Sequence, residues 1–321
     1  MKIGLDIMGG DYAPREAIVG AIQAHKQIPA DCRIVLIGDE NQAKAIVSEM
    51  GSSANDFDFV HTTEVIEMSE SPTKAIAGKK DSSMVVGFAL LAQKQIDVFM
   101  SAGNTGAMMV GAMFSVKQVE GVLRPAVISV VPKLTGGYGI LLDAGTNADC
   151  KPEMLNQFAL LGSLFCQAIY GIESPKVALM NVGEEKEKGN LLTKETYPLL
   201  EQNKMINFVG NVEGYDLFNQ KSDVIVCDGF TGNVIIKVAQ SIYKIMSKMG
   251  LGNQFFDQFN YEIYGGTPIL GVNAPVIIGH GISNAAAFKN MVLLGRKMVE
   301  SDVTEKIKRM LLDLQKQQPA N

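Results

Sequence analysis

The sequence predicts an α/β protein of three layers, with a mostly parallel sheet covered by helices on both faces. Two observations carry this. Short runs rich in Val, Ile and Leu recur along the 321 residues, each followed by a Gly/Asn/Asp/Ser/Thr turn and then a stretch of helical period. The runs are apolar throughout rather than alternating, as strands buried on both faces are. A composition of 47% hydrophobic and 20% charged residues is that of a globular chain able to bury a large core.

In order, the first run covers residues 2–7 and closes on MGGD, and Pro14 opens a helix to residue 24 at a first-turn position where its missing N–H costs nothing. Residues 33–37 (RIVLI) end at Gly38-Asp39-Glu40 and lead to a helix over 41–50; a third strand follows at 57–61. Residues 62–82 are the most polar stretch and predict an exposed segment. Residues 97–100 lead into SAGNTGA and an Ala/Met-rich helix, and 126–131 read as a buried strand. Residues 138–142 lead into DAGTNADCKP and a helix over 152–169, 176–180 into NVGEEKEKGN and a helix from Thr193. Residues 223–227 lead into DGFTGN and a long helix, 274–278 into GHGISN and another. A last amphipathic helix covers 301–315, and the tail QQPAN is expected to fray. No linker or short repeat interrupts the chain. One α/β/α unit of 1–321 is expected, with two lobes and the site between them.

Several function classes are disfavoured at once. The 29 basic against 34 acidic residues leave a net charge of −5, which argues against nucleic-acid binding by bulk charge. Aromatics at 7%, with no Trp, are thin for a base-stacking platform. Cys32, Cys150, Cys166 and Cys227 are far apart, with no C-x-x-C, so neither a zinc motif nor a disulfide framework is expected, in keeping with a reducing cytosol. Asp6 and Asp11 interrupt the N-terminus too early for a signal peptide, and no run reaches the roughly 18–20 apolar residues of a membrane span. A soluble protein is expected. P-loop, G-x-G-x-x-G and G-x-S-x-G patterns are absent. His25 and His61 read as structural; His280, in GHGISN, stays open between site and scaffold.

What remains is the turns. In open parallel sheets ligands bind outside the carboxyl ends of the strands, and a turn before a helix offers free N–H groups and the positive end of the dipole. A set of such turns suits phosphate or a carboxylate. In the charged run Glu184–Asn190, Lys186 and Glu187 read as solvated charges. Lys188 differs because it abuts a Gly-Asn turn after a strand, where it can neutralise an anion. Asp228 reads equally as a helix cap.

Ten blocks fall in order from Met8 to Asn284: MGGDYAP, KKDSSMVV, SAGNTGA, LRPA, LDAGTNADCKPE, NVGEEKEKGN, NFVGNVEG, CDGFTGNV, YGGTPILGVNAPVI and HGISN. Over nearly the whole chain this resembles the PlsX family, the phosphate acyltransferases (acyl-ACP:phosphate transacylases) of bacterial phospholipid synthesis. The resemblance implies a fold like isopropylmalate dehydrogenase and phosphotransacetylase, and a homodimer in the cytoplasm. It implies the reaction of long-chain acyl-ACP with inorganic phosphate to give acyl phosphate and free acyl carrier protein. The acyl phosphate then feeds glycerol-3-phosphate acylation, and so phosphatidic acid, at the membrane. Peripheral membrane contact or a glycerol-3-phosphate acyltransferase are further implied partners, with no metal and no cofactor. By the family's motifs, Lys188 and Asn233 are the catalytic pair. Phosphate or substrate binding falls to Asp6, Gly9, Gly10 and Asp11, to Ser101, Gly103, Asn104, Thr105 and Gly106, to Asp143, Asn147 and Lys151, and to Asn190, Asp228, Gly232 and His280.

The chain departs from the family between Val234 and Tyr264, where a longer hairpin with an apolar tip is usual. Val234, Val238, Ile242, Ile245 and Met249 keep helical spacing, and Phe255, Phe256 and Phe259 add an apolar end; a dimer-packing helix and a membrane contact are both compatible. The chemistry needs no nucleophile-generating triad, because phosphate is already anionic with a pKa of about 6–7. An acidic carrier requires a basic patch, for which Arg124, Lys133, Lys289, Arg296, Lys297 and Arg309 are candidates, and the acyl chain an apolar slot, for which Met108, Met109, Met113 and Phe114 are. The alternative is a phosphotransacetylase-like enzyme acting on acyl-CoA.

Overall fold

The computed structural model describes residues 1–252 and 254–317, apart from the side chains at 254, 256, 261 and 314–317. The tail expected to fray therefore lies outside the described residues from 318 on, as does the Phe256 side chain. The elements in chain order are β1 (Lys2–Asp6), α1 (Arg15–His25), β2 (Arg33–Gly38), α2 (Glu40–Glu49), β3 (Phe57–His61), α3 (Pro72–Gly78), α4 (Ser83–Ala92), β4 (Val98–Ser101) and α5 (Thr105–Gly111). Next come β5 (Ala126–Pro132), β6 (Tyr138–Leu142), α6 (Pro152–Phe165), β7 (Lys176–Met180), α7 (Leu191–Gln202), β8 (Asn207–Val212), β9 (Val224–Val226) and α8 (Gly229–Lys248). The chain ends with α9 (Gln254–Asp257), α10 (Tyr261–Tyr264), β10 (Thr267–Leu270), β11 (Val276–Ile278), α11 (Ala285–Glu300) and α12 (Val303–Gln317). Single π-turns over Ala112–Val116 and Cys166–Tyr170 prolong α5 and α6.

Two compact units share these elements. The first combines Met1–Gln118 with Tyr261–Glu300, the second Val119–Asn260 with the chain from Ser301 on. In the first unit the strands run β3-β2-β1-β4-β11-β10, parallel except for β10 against β11. Ile3, Leu5, Val98, Phe99 and Met100 are wholly buried, so both faces of the central strands are covered. Helix α1 packs on both α2 and α11, and α5 on both α3 and α4. In the second unit the order is β5-β6-β9-β7-β8, parallel except for β5 against β6. Helix α6 packs on β6, β7 and β9, with α7 and α12 alongside it.

One expectation is corrected here. Residues 62–82 are not simply an exposed segment: they carry α3 and bury Thr62, Ile66, Ala75 and Ser82. Polar bonds from within and from elsewhere hold the stretch in place. Lys79 Nζ donates to Val65 O at 2.6 Å and pairs with Glu70 at 2.7 Å.

Candidate active site

The predicted residues divide between the two units. In the first, the MGGD turn after β1 meets the SAGNTGA turn after β4. Asp6 is 1% exposed and accepts from Ser101 Oγ at 2.6 Å and from Met8 N–H at 2.9 Å, while Ser101 Oγ in turn accepts from Gly103 N–H at 2.9 Å. Burial pushes the Asp6 carboxyl above the usual carboxylate range, against the pull of Ser101, Ser83 and backbone donors. Gly9 fits between the two turns because it has no side chain: a Cβ there would lie 2.6 Å from Gly103 N and 2.7 Å from Ser101 Oγ. The GHGISN turn joins them, as Asp11 N–H donates to Gly281 O at 2.7 Å, Gly10 lies beneath that carbonyl, and His280 O accepts from Ser283 N–H. Thr105 and Gly106 open α5, with Thr105 exposed and Gly106 against Pro72.

Asn104 is corrected as a ligand. Its Oδ1 caps α5 through Ala107 N–H at 3.0 Å, and its Nδ2 donates to the carbonyls of Glu67, Met68 and Glu70 at 3.0–3.2 Å. At 5% exposure, with both ends of the amide engaged, it shapes the turn rather than contacting an anion.

In the second unit the turns after β6, β7 and β9 lie at the carboxyl edge of the strands. Asp143, wholly buried, is corrected in the same way. It accepts from the N–H groups of Val127, Gly145, Thr146 and Asn147 and from Asn147 Nδ2, the shortest at 2.6 Å. Asn147 also donates to Pro125 O and accepts from Gly229 N–H, so both residues build the turn. Asp228 caps α8, accepting from Thr231 N–H and Oγ1 at 2.8 Å each; Asn190 caps α7 through Thr193 N–H at 2.9 Å. Gly232 brings α8 against the end of β6, for a Cβ there would stand 2.0 Å from Asp143 O. Lys151 precedes α6 and is exposed.

The two predicted catalytic residues of this unit have side chains that the fold leaves largely unengaged among the described residues. Among the described residues Asn233 Nδ2 makes only a long contact of 3.5 Å, to Ala144 O. In the 181–190 turn, Lys186 pairs with Glu201, and Glu184 with Lys221, which also holds Asp216. Lys188 has no carboxylate within ion-pair distance among the described residues; its carbonyl accepts from Asn181 Nδ2 at 3.1 Å. A cavity of about 220 Å³ lies between this turn and the start of α8. Sequence reasoning passed over Asn181, Thr193 and Thr231 on its polar side. Asn181 and Thr231 stand inside the quoted motifs NVGEEKEKGN and CDGFTGNV, and Thr193 follows the first of them by three residues.

The thiols are neutral. Burial, then Asp143, pushes Cys150 up to about 12, burial does the same for Cys166, and it carries Cys227 well above the ordinary value. Among the described residues no cluster of His, Cys, Asp and Glu could hold a metal. Of the proposed carrier-docking cations, Lys133 is corrected: it is 5% exposed and pairs with Asp223. Arg296 and Arg309 already pair with Glu300 and Asp302. Met108 is wholly buried in the first unit's core, which takes it out of an acyl slot.

Comparison with known proteins now has a site to refer to. A family described as "Fatty acid synthesis protein" matches residues 1–255 and 252–306. Phosphate acyltransferase of Dictyoglomus turgidum is 44% identical over 96% of each chain, and that of Syntrophomonas wolfei 43% identical over 95% of this chain and 97% of its own. Among solved structures, EutD phosphotransacetylase from Staphylococcus aureus superposes with a TM-score of 0.63 at 16% identity, covering 93% of this chain and 94% of that one. The fold is thus the α/β architecture with a mostly parallel sheet that the strand pattern implied, of the phosphotransacetylase-like kind that the family resemblance implied. The two units, their turns and this near full-length likeness agree, and the chain belongs to the fatty acid synthesis protein family that includes the phosphate acyltransferases.

Proposed function

We propose that this protein transfers a long-chain acyl group from acyl carrier protein to inorganic phosphate, giving acyl phosphate and free carrier for phosphatidic acid and phospholipid synthesis. Full-length identity to phosphate acyltransferases supports the reaction class. The observation that carries the site is Lys188, a cation at the carboxyl edge of the second unit's strands with no carboxylate in ion-pair distance among the described residues.

In this reading a phosphate oxygen attacks the thioester carbonyl. A C–O bond forms, the C–S bond breaks, and the sulfur leaves as a thiolate, acceptable near neutrality for a thiol of pKa about 8.5. Lys188 holds the phosphate or the developing oxyanion by charge, and Asn233 Nδ2 donates to the same centre; one such donor is worth about 3–4 kcal/mol. The neutral thiols of Cys150 and Cys227 favour direct attack over a covalent acyl-enzyme. Gly9, Gly10, Asp11, Ser101, Gly103, Thr105, Gly106 and His280 form an anion-binding turn in the first unit, ordered by Asp6 and Asn104. Asp143, Asn147, Asn190, Asp228 and Gly232 order the second unit's turns, and Lys151 adds charge there.

A homodimer is supported by α8. Phe230, Val234, Val238, Ile242, Ile245 and Met249 form a stripe along it and are 47–67% exposed, a face that a second copy would cover. Peripheral contact with a membrane or a glycerol-3-phosphate acyltransferase would use the same face. Among the described residues no helix is long and apolar enough to cross a membrane, and a cytoplasmic location is part of the proposal. The test is incubation of palmitoyl-ACP with phosphate and trapping with hydroxylamine. Phosphate-dependent hydroxamate is expected, faster from acyl-ACP than from acyl-CoA at equal concentration. No product from either donor overturns the reading, and product from acyl-CoA alone replaces the carrier.

A further inference from the structure

We infer that the second unit's cavity receives the first carbons of the acyl chain, and that Met180, Val182 and Ile235 govern which chains are accepted. The inference rests on the acyl-transfer reading above. The cavity lies beside the carboxyl ends of β7 and β9, and five of its lining residues, Leu155, Met180, Val182, Cys227 and Ile235, are apolar or, for the neutral Cys227 thiol, effectively so.

Charge decides between an alkyl chain and phosphate as the occupant. The one charged side chain in the lining is Asp228, a carboxylate, which repels an anion. Among the described residues, most of the polar neighbours are already engaged, the Asn190 Nδ2 donor being the exception. Asn190 Oδ1 accepts from Thr193 N–H, and Thr193 Oγ1 donates to Asn190 O. Both Asp228 oxygens accept from Thr231, while Asn181 Oδ1 accepts from Val182 N–H and its Nδ2 donates to Lys188 O. Apart from Asn190 Nδ2, the surface left uncommitted is apolar, and a cation that suits phosphate stands in the neighbouring turn.

The volume of about 220 Å³ is room for about seven groups of water or methylene size at ~30 Å³ each. Val182, 78% exposed, stands at the mouth, where longer chains run out. Each methylene gained within that range should raise kcat/KM by about fourfold.

The experiment uses the full chain with butyryl-, octanoyl- and palmitoyl-ACP at saturating phosphate, comparing wild type with Ile235→Phe and Val182→Phe. Both variants should lower kcat/KM for octanoyl and palmitoyl donors by about tenfold or more. Butyryl transfer should stay within about threefold, with the KM for phosphate unchanged. Equal loss at all three lengths, which a carrier-arm site would give, overturns the inference, and so does a raised KM for phosphate. Val182→Phe changes an exposed position, so it decides the matter if Ile235→Phe fails to fold. Wild type that makes no acyl phosphate would instead overturn the acyl-transfer reading itself.

Discussion

The two ends of the second unit's parallel strands treat the same residue type in opposite ways. At the amino end Lys133, just past β5, is buried against Asp223, which precedes β9 and also accepts from Lys176 N–H at 2.8 Å. At the carboxyl end Lys188 is exposed and without a carboxylate partner among the described residues. The first charge is completed inside the fold and serves stability. The second stays unpaired, as the anion-holding role proposed for it requires. Helices begin at the carboxyl edge and leave backbone donors there, so that is where an unspent cation can share work with its surroundings.

The contrast breaks first at Lys133. Lys133→Ala leaves Asp223, whose side chain is 14% exposed, without its cation, and denaturant unfolding should show a loss of about 3 kcal/mol, the low end for an enclosed pair; a loss below about 1 kcal/mol would mean that the pair is not closed. Lys188→Ala should do the reverse. Turnover should fall about a hundredfold or more, roughly 2.7 kcal/mol, with the unfolding midpoint unchanged. Undiminished acyl phosphate formation by that variant removes Lys188 from the mechanism. Asn233→Ala should cost at least about tenfold in turnover, near 1.4 kcal/mol, and a smaller effect demotes it to a turn residue.

The smallest effect concerns Asp6. Because burial raises its pKa, the stability it contributes is whole below the unfolded value of about 3.9 and is lost as pH rises through the folded one. Thermal midpoints of wild type and Asp6→Asn, followed from about pH 4 to 7, should therefore shift in favour of the variant as pH rises. A gap that stays constant would contradict a raised Asp6.

Much of the scaffold is legible in the sequence. β6 and β7 follow from unbroken apolar runs, because strands covered on both faces have no polar side to interrupt them. Helix α4 is hidden for the same reason: SMVVGFALLA is apolar all round, with no amphipathic period, and it packs on β1, β2 and β4. β8 and β10 are masked by Asn and Gly in NFVGNV and by Pro268 in TPIL, residues that read as turn formers. In the site, motifs locate the turns and no more. Asn104 and Asn233 look alike in sequence. What separates them is that the carbonyls of Glu67, Met68 and Glu70, some 35 residues away, engage the first amide and nothing comparable engages the second. Lys133 looked like a surface charge because its partner is 90 residues distant.

Position 232 carries no atom beyond the backbone, and that is why it tolerates so little. Helix and strand touch there main chain to main chain, so a single added methyl would act as a wedge, prising the start of α8 off β6. Thr231 and Asn233 flank the wedge and would swing with it. In the mechanism proposed above, alignment of the reacting groups hangs on an emptiness, and the smallest residue in the turn works as its gauge block.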